Sequence, residues 1–137
     1  MKRRIYVTAV TVLASLFLSI SAFAHHSFDA EFDVYQPVSF DATITKVEWI
    51  NPHVQIHVDA EVDGKIVPWR IASWDPYLLR NAGLMRNKFV VGQKVNIAAY
   101  RAKDGSAVAY LRHIKFPDKQ EFDLWIGGAN ASTQQQK

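Results

Sequence analysis

The chain has 137 residues and no cysteine, with 16 basic and 13 acidic residues and a formal net charge of +3. This length suits one domain of ordinary size, and the lack of cysteine excludes disulfides and thiolate ligands. Because Lys2, Arg3 and Arg4 supply three of the basic residues, the rest of the chain carries 13 charges of each sign. The net charge therefore does not indicate nucleic-acid binding, which needs a basic patch on the folded domain.

Residues 1–24 have the composition of a secretory signal peptide. The basic start is followed by an uncharged apolar stretch, and small residues at Ala22 and Ala24 fit the A-x-A pattern that a signal peptidase accepts. We predict cleavage after Ala24, which leaves an exported chain of 113 residues that starts at His25, without stable membrane insertion. A retained transmembrane anchor is the alternative, but a span needs roughly 20 apolar residues and this stretch is borderline.

The first segment of the mature chain, 25–37, is polar and aromatic and predicts an extended arm. Apolar and polar residues then alternate over 38–49, which indicates a half-buried strand. The apolar positions change phase after Lys46, and a slip of one residue is what a β-bulge produces. The pattern therefore predicts one long, bent strand that ends before Asn51-Pro52, because proline cannot donate to a ladder.

Four more strands and one short helix follow, each bounded by turn residues. Asp63-Gly64 is a strong hairpin signal between two of the strands. Asp75-Pro76 predicts an N-cap followed by proline at the first helical position, and Gly83 suits the position after the helix. The predicted strands are 53–62, 66–73, 94–101 and 107–116, and the predicted helix is 76–82.

This order of elements, β-β-β-α-β-β, predicts a mainly β fold. It is the order of a small five-stranded OB-like Greek-key barrel with one short helix between strands three and four. A β-sandwich is the competitor, but its seven strands do not fit the length comfortably. The predicted organisation is a signal peptide over 1–24, an arm over 25–37, the barrel domain over 38–126 and a disordered, low-complexity tail over 127–137.

The strongest candidate for chemistry is the pair His25-His26 at the predicted mature N-terminus. The α-amine and the ring Nδ1 of His25 can close a chelate on one metal, and an amine pKa of about 7.7–8.0 lets a metal displace its proton near neutral pH. A second mode uses the same amine, the intervening amide nitrogen and the ring of His26. Amine and imidazole nitrogens suit Cu(II), so a copper ion is the favoured cofactor. The alternative is an exposed polar terminus without a metal.

A third ligand is predicted from His53, which follows the Asn51-Pro52 break where functional loops concentrate. Its alternative role is a turn-side histidine that is hydrogen-bonded to the backbone. His57 lies four residues along, about 13 Å away on one strand, so the two rings cannot easily share a metal. His57 is predicted as an exposed strand residue and His113 as solvent-facing.

Aromatic residues offer a different kind of site. Trp49 and Trp69 fit apolar strand positions and are predicted to lie in the core. Trp74 precedes the helix and, with Asn51 in the first turn, is the candidate for binding a sugar or a partner protein, since barrels of this type bind ligands on exposed aromatic residues. No nucleophile elbow, catalytic cysteine, zinc-protease motif or glycine-rich phosphate loop is present, so no enzyme activity is predicted.

These motifs resemble those of a family of exported bacterial proteins of unknown function. The resemblance rests on His25-His26-Ser27-Phe28 and on Glu48-Trp49 followed by Asn51-Pro52-His53, and it covers nearly all of the mature chain. It implies a bacterial source and a periplasmic or secreted location, but no activity. The sequence thus predicts a periplasmic copper-binding protein; a module that binds a sugar or protein and a structural envelope protein remain the alternatives.

Overall fold

The computed structural model describes Phe28 and residues 30–124. The chain divides into two compact units, Met1–Glu31 and Phe32–Lys137. In the first unit, Phe28, Ala30 and Glu31 are helical. The predicted signal peptide, His25 and His26, and the predicted tail lie outside the described residues. None of the described helices is long and apolar enough to cross a membrane.

The second unit is built mainly of β-strands with one short α-helix and a 3-10 turn. The predicted bounds agree with the observed ones to within two residues, except at the start of the first strand. The elements are β1 (Phe32–Glu48), β2 (Gln55–Val62), β3 (Lys65–Ala72), α1 (Pro76–Asn81), a 3-10 helix (Arg86–Lys88), β4 (Lys94–Ala102), β5 (Val108–Lys115) and β6 (Glu121–Asp123).

The six strands form one sheet in the order β3-β2-β1-β4-β5-β6, and each strand is antiparallel to its neighbours. A further, parallel pairing of β3 with β5, over Arg70–Ala72 and Val108–Tyr110, closes a ring through five strands. Along the chain, the helix lies between β3 and β4. The predicted mainly β class and the predicted order of elements along the chain are confirmed, and β6 is an addition that the sequence pattern did not indicate.

The long first strand is irregular at two points. The register with β2 shifts between Ile44 and Lys46, which confirms the bulge predicted from the phase change at this position. The strand begins at Phe32, six residues before the predicted start, and its register with β4 shifts between Phe32 and Pro37. Alternation is lost over these residues, so their pairing could not be predicted from periodicity.

The turn and cap predictions are confirmed. In the β2–β3 hairpin Asp63 and Gly64 both have positive φ angles, 51° and 74°, as a tight two-residue turn requires. The side chain of Asp75 accepts hydrogen bonds from the first-turn amides of α1, which makes it the N-cap. Gly83 has a φ of 83° just after the helix, a conformation that favours glycine.

The hydrophobic core draws side chains from the five ring strands, from α1 and from the segments that adjoin them. Trp69 is buried, with 7% of its surface exposed, and Trp49 packs against the core, its ring 5.8 Å from that of Phe89. Trp69 therefore occupies the core position predicted for it, whereas Trp49 is only partly buried at the edge of the core. The large side chains with no exposure include Ile44, Ile56, Ile71, Leu79, Leu84, Ile97, Leu111, Ile114 and Leu124.

Candidate functional site

His53 lies in the loop between β1 and β2, directly after the Asn51–Pro52 bond, which is cis. Backbone hydrogen bonds join this loop to the segment that leaves β3. The amide of Val54 donates to the carbonyl of Trp74 at 3.1 Å, and the amide of Ser73 donates to the carbonyl of Val54 at 2.9 Å. His53 is thereby held beside Ser73.

The ring of His53 is oriented by one hydrogen bond. Its Nδ1 lies 3.0 Å from the backbone carbonyl oxygen of Ser73. A carbonyl oxygen can only accept, so Nδ1 carries the proton and Nε2 of the neutral ring keeps a lone pair. The residue is exposed. The alternative role predicted for His53, a turn-side histidine hydrogen-bonded to the backbone, is therefore confirmed. This bond leaves the lone pair of Nε2 able to coordinate a metal or accept a hydrogen bond.

Tyr110 of β5 flanks His53, with the ring centroids 6.1 Å apart at an interplanar angle of 80°. The parallel pairing of β3 with β5 aligns Tyr110 with Ala72, one residue before Ser73. Burial raises the pKa of Tyr110 to about 12, and the negative charge of Asp75 adds to the increase. The phenol therefore stays neutral at any physiological pH.

Two other polar groups belong to this region. The hydroxyl of Ser73 is fully buried and has no hydrogen-bond partner among the described residues. Asp75 uses its Oδ1 to accept from the amides of Tyr77 and Leu78 at 2.8 and 3.0 Å. Oδ1 of Asp75 is thus committed to the helix start, while Nε2 of the neutral His53 ring keeps a lone pair for a ligand.

The two predicted ligand-binding residues differ in exposure. Asn51 is exposed in the same loop as His53, whereas Trp74 is half-buried and packs against the core. Its carbonyl accepts the Val54 amide, so Trp74 helps to fix the loop that carries His53. The structure therefore brings Asn51, His53 and Trp74 into one region through the backbone.

His57 on β2 lies apart from this region in its contacts. Its Nε2 is 3.7 Å from Oε2 of Glu48, and its side chain is 31% exposed, so it is less exposed than predicted. The pKa of the Glu48 carboxyl is lowered, mainly by the hydrogen bond and charge of Lys46 and to a smaller extent by His57. His57 is therefore part of an ion-pair row along β1 and β2.

His113 on β5 was predicted to face solvent, and it is less exposed than this prediction implies. Its side chain is 20% exposed, with Nδ1 2.8 Å from Oδ1 of Asp123 and Nε2 3.7 Å from Oε2 of Glu121. The reason is β6, which pairs Asp123 directly opposite His113. A bond from Lys115 to Glu121 at 2.5 Å, together with the positive charge of Lys115, holds the pKa of the Glu121 carboxyl below its usual range.

The three described histidines thus have different neighbours and do not share a site. Among the residues that the structure describes, no group of three or more His, Asp or Glu side chains is arranged to hold a metal ion. His25 and His26, the first predicted ligands, lie outside those residues.

Sequence reasoning missed Tyr110 and Ser73 as neighbours of His53, and Asp75 as a charge that acts on Tyr110. Asp75 was identified as a helix cap, but its effect on Tyr110 depends on the β3–β5 pairing, which joins residues about forty positions apart. No local pattern in the sequence encodes that parallel register. The signal that was available was position alone, since Ser73 and Asp75 lie where a strand ends and loops gather.

Comparison with known proteins yields a family but no characterised relative. A family model described as a family of unknown function, DUF6152, matches residues 12–111. No curated protein matches the chain. Two solved structures resemble it: a complex of TiaS with a tRNA and ATP, at 18% identity and a TM-score of 0.45, and a ZRD-deleted mutant of TiaS in complex with agmatine, at 17% and 0.46. The matches cover 62% and 74% of this chain but only 19% and 25% of those proteins.

Proposed function

This chain belongs to the DUF6152 family of unknown function, and we propose that it is an exported protein that binds one copper ion. His25 and His26, at the N-terminus left by signal-peptide cleavage, supply the primary chelate, and His53 supplies a third nitrogen. The proposed role is binding, delivery or sequestration of the metal in the periplasm or outside the cell. The proposal assigns no catalytic step.

The observation that carries the proposal is the orientation of His53. Metal-binding histidines commonly donate the N–H of one ring nitrogen to a carbonyl or carboxylate, which fixes the tautomer and leaves the other nitrogen for the metal. The 3.0 Å contact of Nδ1 with the Ser73 carbonyl is such a bond, and the residue is exposed. Nε2 of His53 is therefore oriented as a ligand before any metal arrives.

The other described histidines are less suited to this role. Nε2 of His57 is a buried atom beside Glu48, and His113 has both ring nitrogens directed at carboxylates of β6. A copper ion at either ring would have to displace these contacts. His53 is thus the described histidine that can add a ligand at the lowest cost.

The chemistry of the N-terminal pair favours copper over harder cations. The chain has no cysteine, so a site must use nitrogen and oxygen donors. An α-amine, a deprotonated amide and imidazoles form a nitrogen-rich set, which suits Cu(II) better than Mg²⁺ or Ca²⁺. Because the amine must lose its proton, affinity should increase as the pH rises toward about 8.

The experiment is the intact mass of the untagged, exported protein, measured with and without one equivalent of Cu(II) and a mild chelator. The expected result is a chain that starts at His25 and retains a single copper. His53→Ala should weaken retention about tenfold or more, a difference of ~1.4 kcal/mol or above. His57→Ala is the matched control, since it removes an imidazole that the proposal leaves outside the site.

A second control separates the amine from the rings. A mature chain with its α-amine acetylated keeps every imidazole but can no longer use that amine as a ligand. Copper should then be lost to the mild chelator. A chain that starts elsewhere than His25, or retains no copper, contradicts the proposal and leaves the alternative of a sugar- or protein-binding module near Asn51 and Trp74.

A further inference from the structure

A cleft of about 220 Å³ opens between the start of β1 and the β4–β5 hairpin. It arises from the irregular pairing at this point. Phe32 lies opposite Ala102, but the next paired residue of β1 is Pro37, which lies opposite Tyr100. Four residues of β1 therefore bulge out opposite the single residue Arg101. The cleft is lined by Asp33, Gln36, Arg101, Ala102, Lys103 and Gly105.

The guanidinium of Arg101 is held in place on two sides. It lies over the ring of Trp69, 5.7 Å from the centroid, and Trp69 packs in turn on Phe40 at 5.0 Å. Its Nη2 donates to the carbonyl of Gly105 at 2.7 Å. A guanidinium fixed in this way loses little further freedom when it binds a planar carboxylate.

One donor of this guanidinium has no acceptor in the described part of the chain. Nε of Arg101 is buried and has no hydrogen-bond partner among the described residues, and the same is true of Nε1 of Trp69. Buried donors are rarely left unpaired, because an unsatisfied group keeps its full desolvation cost. An acceptor that entered beside this stacked pair would therefore offset a cost that the described residues leave uncompensated.

The opposite charge in the cleft is also available. Asp33 lines the same cleft as Arg101, yet no ion pair joins the two among the described residues. The carboxylate accepts a hydrogen bond from the amide of Tyr35 at 2.9 Å, which orients it within the bulge. The cleft therefore presents a cation and an anion that are kept apart.

We propose that the cleft binds a free amino acid with an acidic side chain. Arg101 takes a carboxylate of the ligand, and Asp33 takes its ammonium group. Lys103 adds a second positive charge to the lining, which gives the cleft a net charge of +1 for a ligand of net charge −1. The amide of Gln36 can both donate to and accept from such a ligand. This site is independent of the proposed copper ligands.

The test is isothermal titration of the exported protein with L-glutamate, N-acetyl-L-glutamate and glutarate. All three probes carry two carboxylates, but only L-glutamate has an ammonium group. The expected result is saturable binding of L-glutamate, at least about tenfold tighter than that of the other two. The Nε–H resonance of Arg101 should shift on binding, which a purely structural role for this side chain would not produce.

Variants of Arg101 and Asp33 test which ligand group each of the two charges binds. Arg101→Gln should abolish binding, whereas Arg112→Gln, which removes the same charge from an exposed position on β5, should leave it unchanged. Asp33→Asn should bring the affinity for L-glutamate down to that for glutarate, and it stays informative if Arg101→Gln fails to fold. No saturable binding, equal affinity for the three probes, or equal loss in both arginine variants would overturn the proposal.

Discussion

Two residues three positions apart on β5 have opposite electrostatic environments. Tyr110 has 8% of its surface exposed and lies beside Phe32 and His53. His113 contacts Asp123 and Glu121 on β6, whose side chains are 68% and 45% exposed. Around Tyr110, burial disfavours a charged side chain. Around His113, exposed acidic and basic side chains of β5 and β6 pair with one another.

The difference shows that the pKa of a group on β5 can be shifted by burial at one position, and that of a group paired with β5 by a neighbouring charge at another. The pKa of Tyr110 is raised because removal from water disfavours the phenolate, an effect that salt barely screens. The pKa of Glu121 is lowered because Lys115 favours the carboxylate, an effect that salt screens strongly. Tyr110 therefore places a buried, neutral side chain beside His53, while the exposed ion pairs of β6 contribute little to stability.

The largest expected effect comes from removing the aromatic ring that packs on Tyr110. Phe32 is 5% exposed and packs edge-to-face on Tyr110, with the ring centroids 5.5 Å apart. Phe32→Ala should lower the free energy of unfolding by about 3 kcal/mol, measured by urea denaturation. It should also move the pKa of Tyr110 back toward its ordinary value, as followed by tyrosinate absorbance.

The matched control is on the same strand. Tyr35 is 91% exposed, so Tyr35→Ala should change the free energy of unfolding by less than about 0.5 kcal/mol. Equal destabilisation by the two variants would show that the burial of Phe32 does not contribute to the free energy of unfolding.

A smaller effect is expected from alkaline pH. Since the folded-state pKa of Tyr110 lies near 12 and the unfolded value near 10, the unfolded state loses its proton first as the pH rises. Stability should fall by about 1 kcal/mol between pH 9 and pH 11 on this account. Tyr110→Phe should remove that part of the loss, measured as the difference in urea unfolding between the two proteins.

Asp75 provides the control for the charge contribution. Asp75→Asn keeps a side-chain oxygen for the helix cap but removes the negative charge. The pKa of Tyr110 should decrease slightly in this variant. An unchanged alkaline stability profile in Tyr110→Phe would mean that another group carries the pH dependence.

The smallest effect is expected at β6. Glu121→Gln removes the charge that pairs with Lys115 at 2.5 Å. Because the folded-state pKa of Glu121 is lowered, its contribution is present above about pH 4.3 and is lost as the pH falls through the lower folded-state value. The difference in urea midpoint between wild type and variant should be small at low salt and absent in 1 M NaCl.

Glu61, exposed at the end of β2, offers a comparison that lies outside this row. Glu61→Gln should show no such dependence on salt. A Glu121→Gln effect that persists in 1 M NaCl would indicate that β6 depends on packing rather than on charge.

Much of the fold was predictable because its signals are local. Alternation identified the ring strands, the phase change at Lys46 located the bulge in β1, and Asp75-Pro76 located the helix start. The three-residue strand β6 was missed because so short a segment has no period to detect, and the carboxylates that contact His113 were missed as a consequence.

The candidate site was predictable only in part. The sequence alone determined that His53 follows a proline break, that the chain lacks cysteine and that its basic excess lies in the first four residues. Only the tertiary structure decided which ring nitrogen of His53 is bonded, that Tyr110 lies beside it, and that β1 bulges opposite Arg101. The physical reason is that periodicity and caps act within a few residues, whereas strand register is set by packing between segments far apart in the chain.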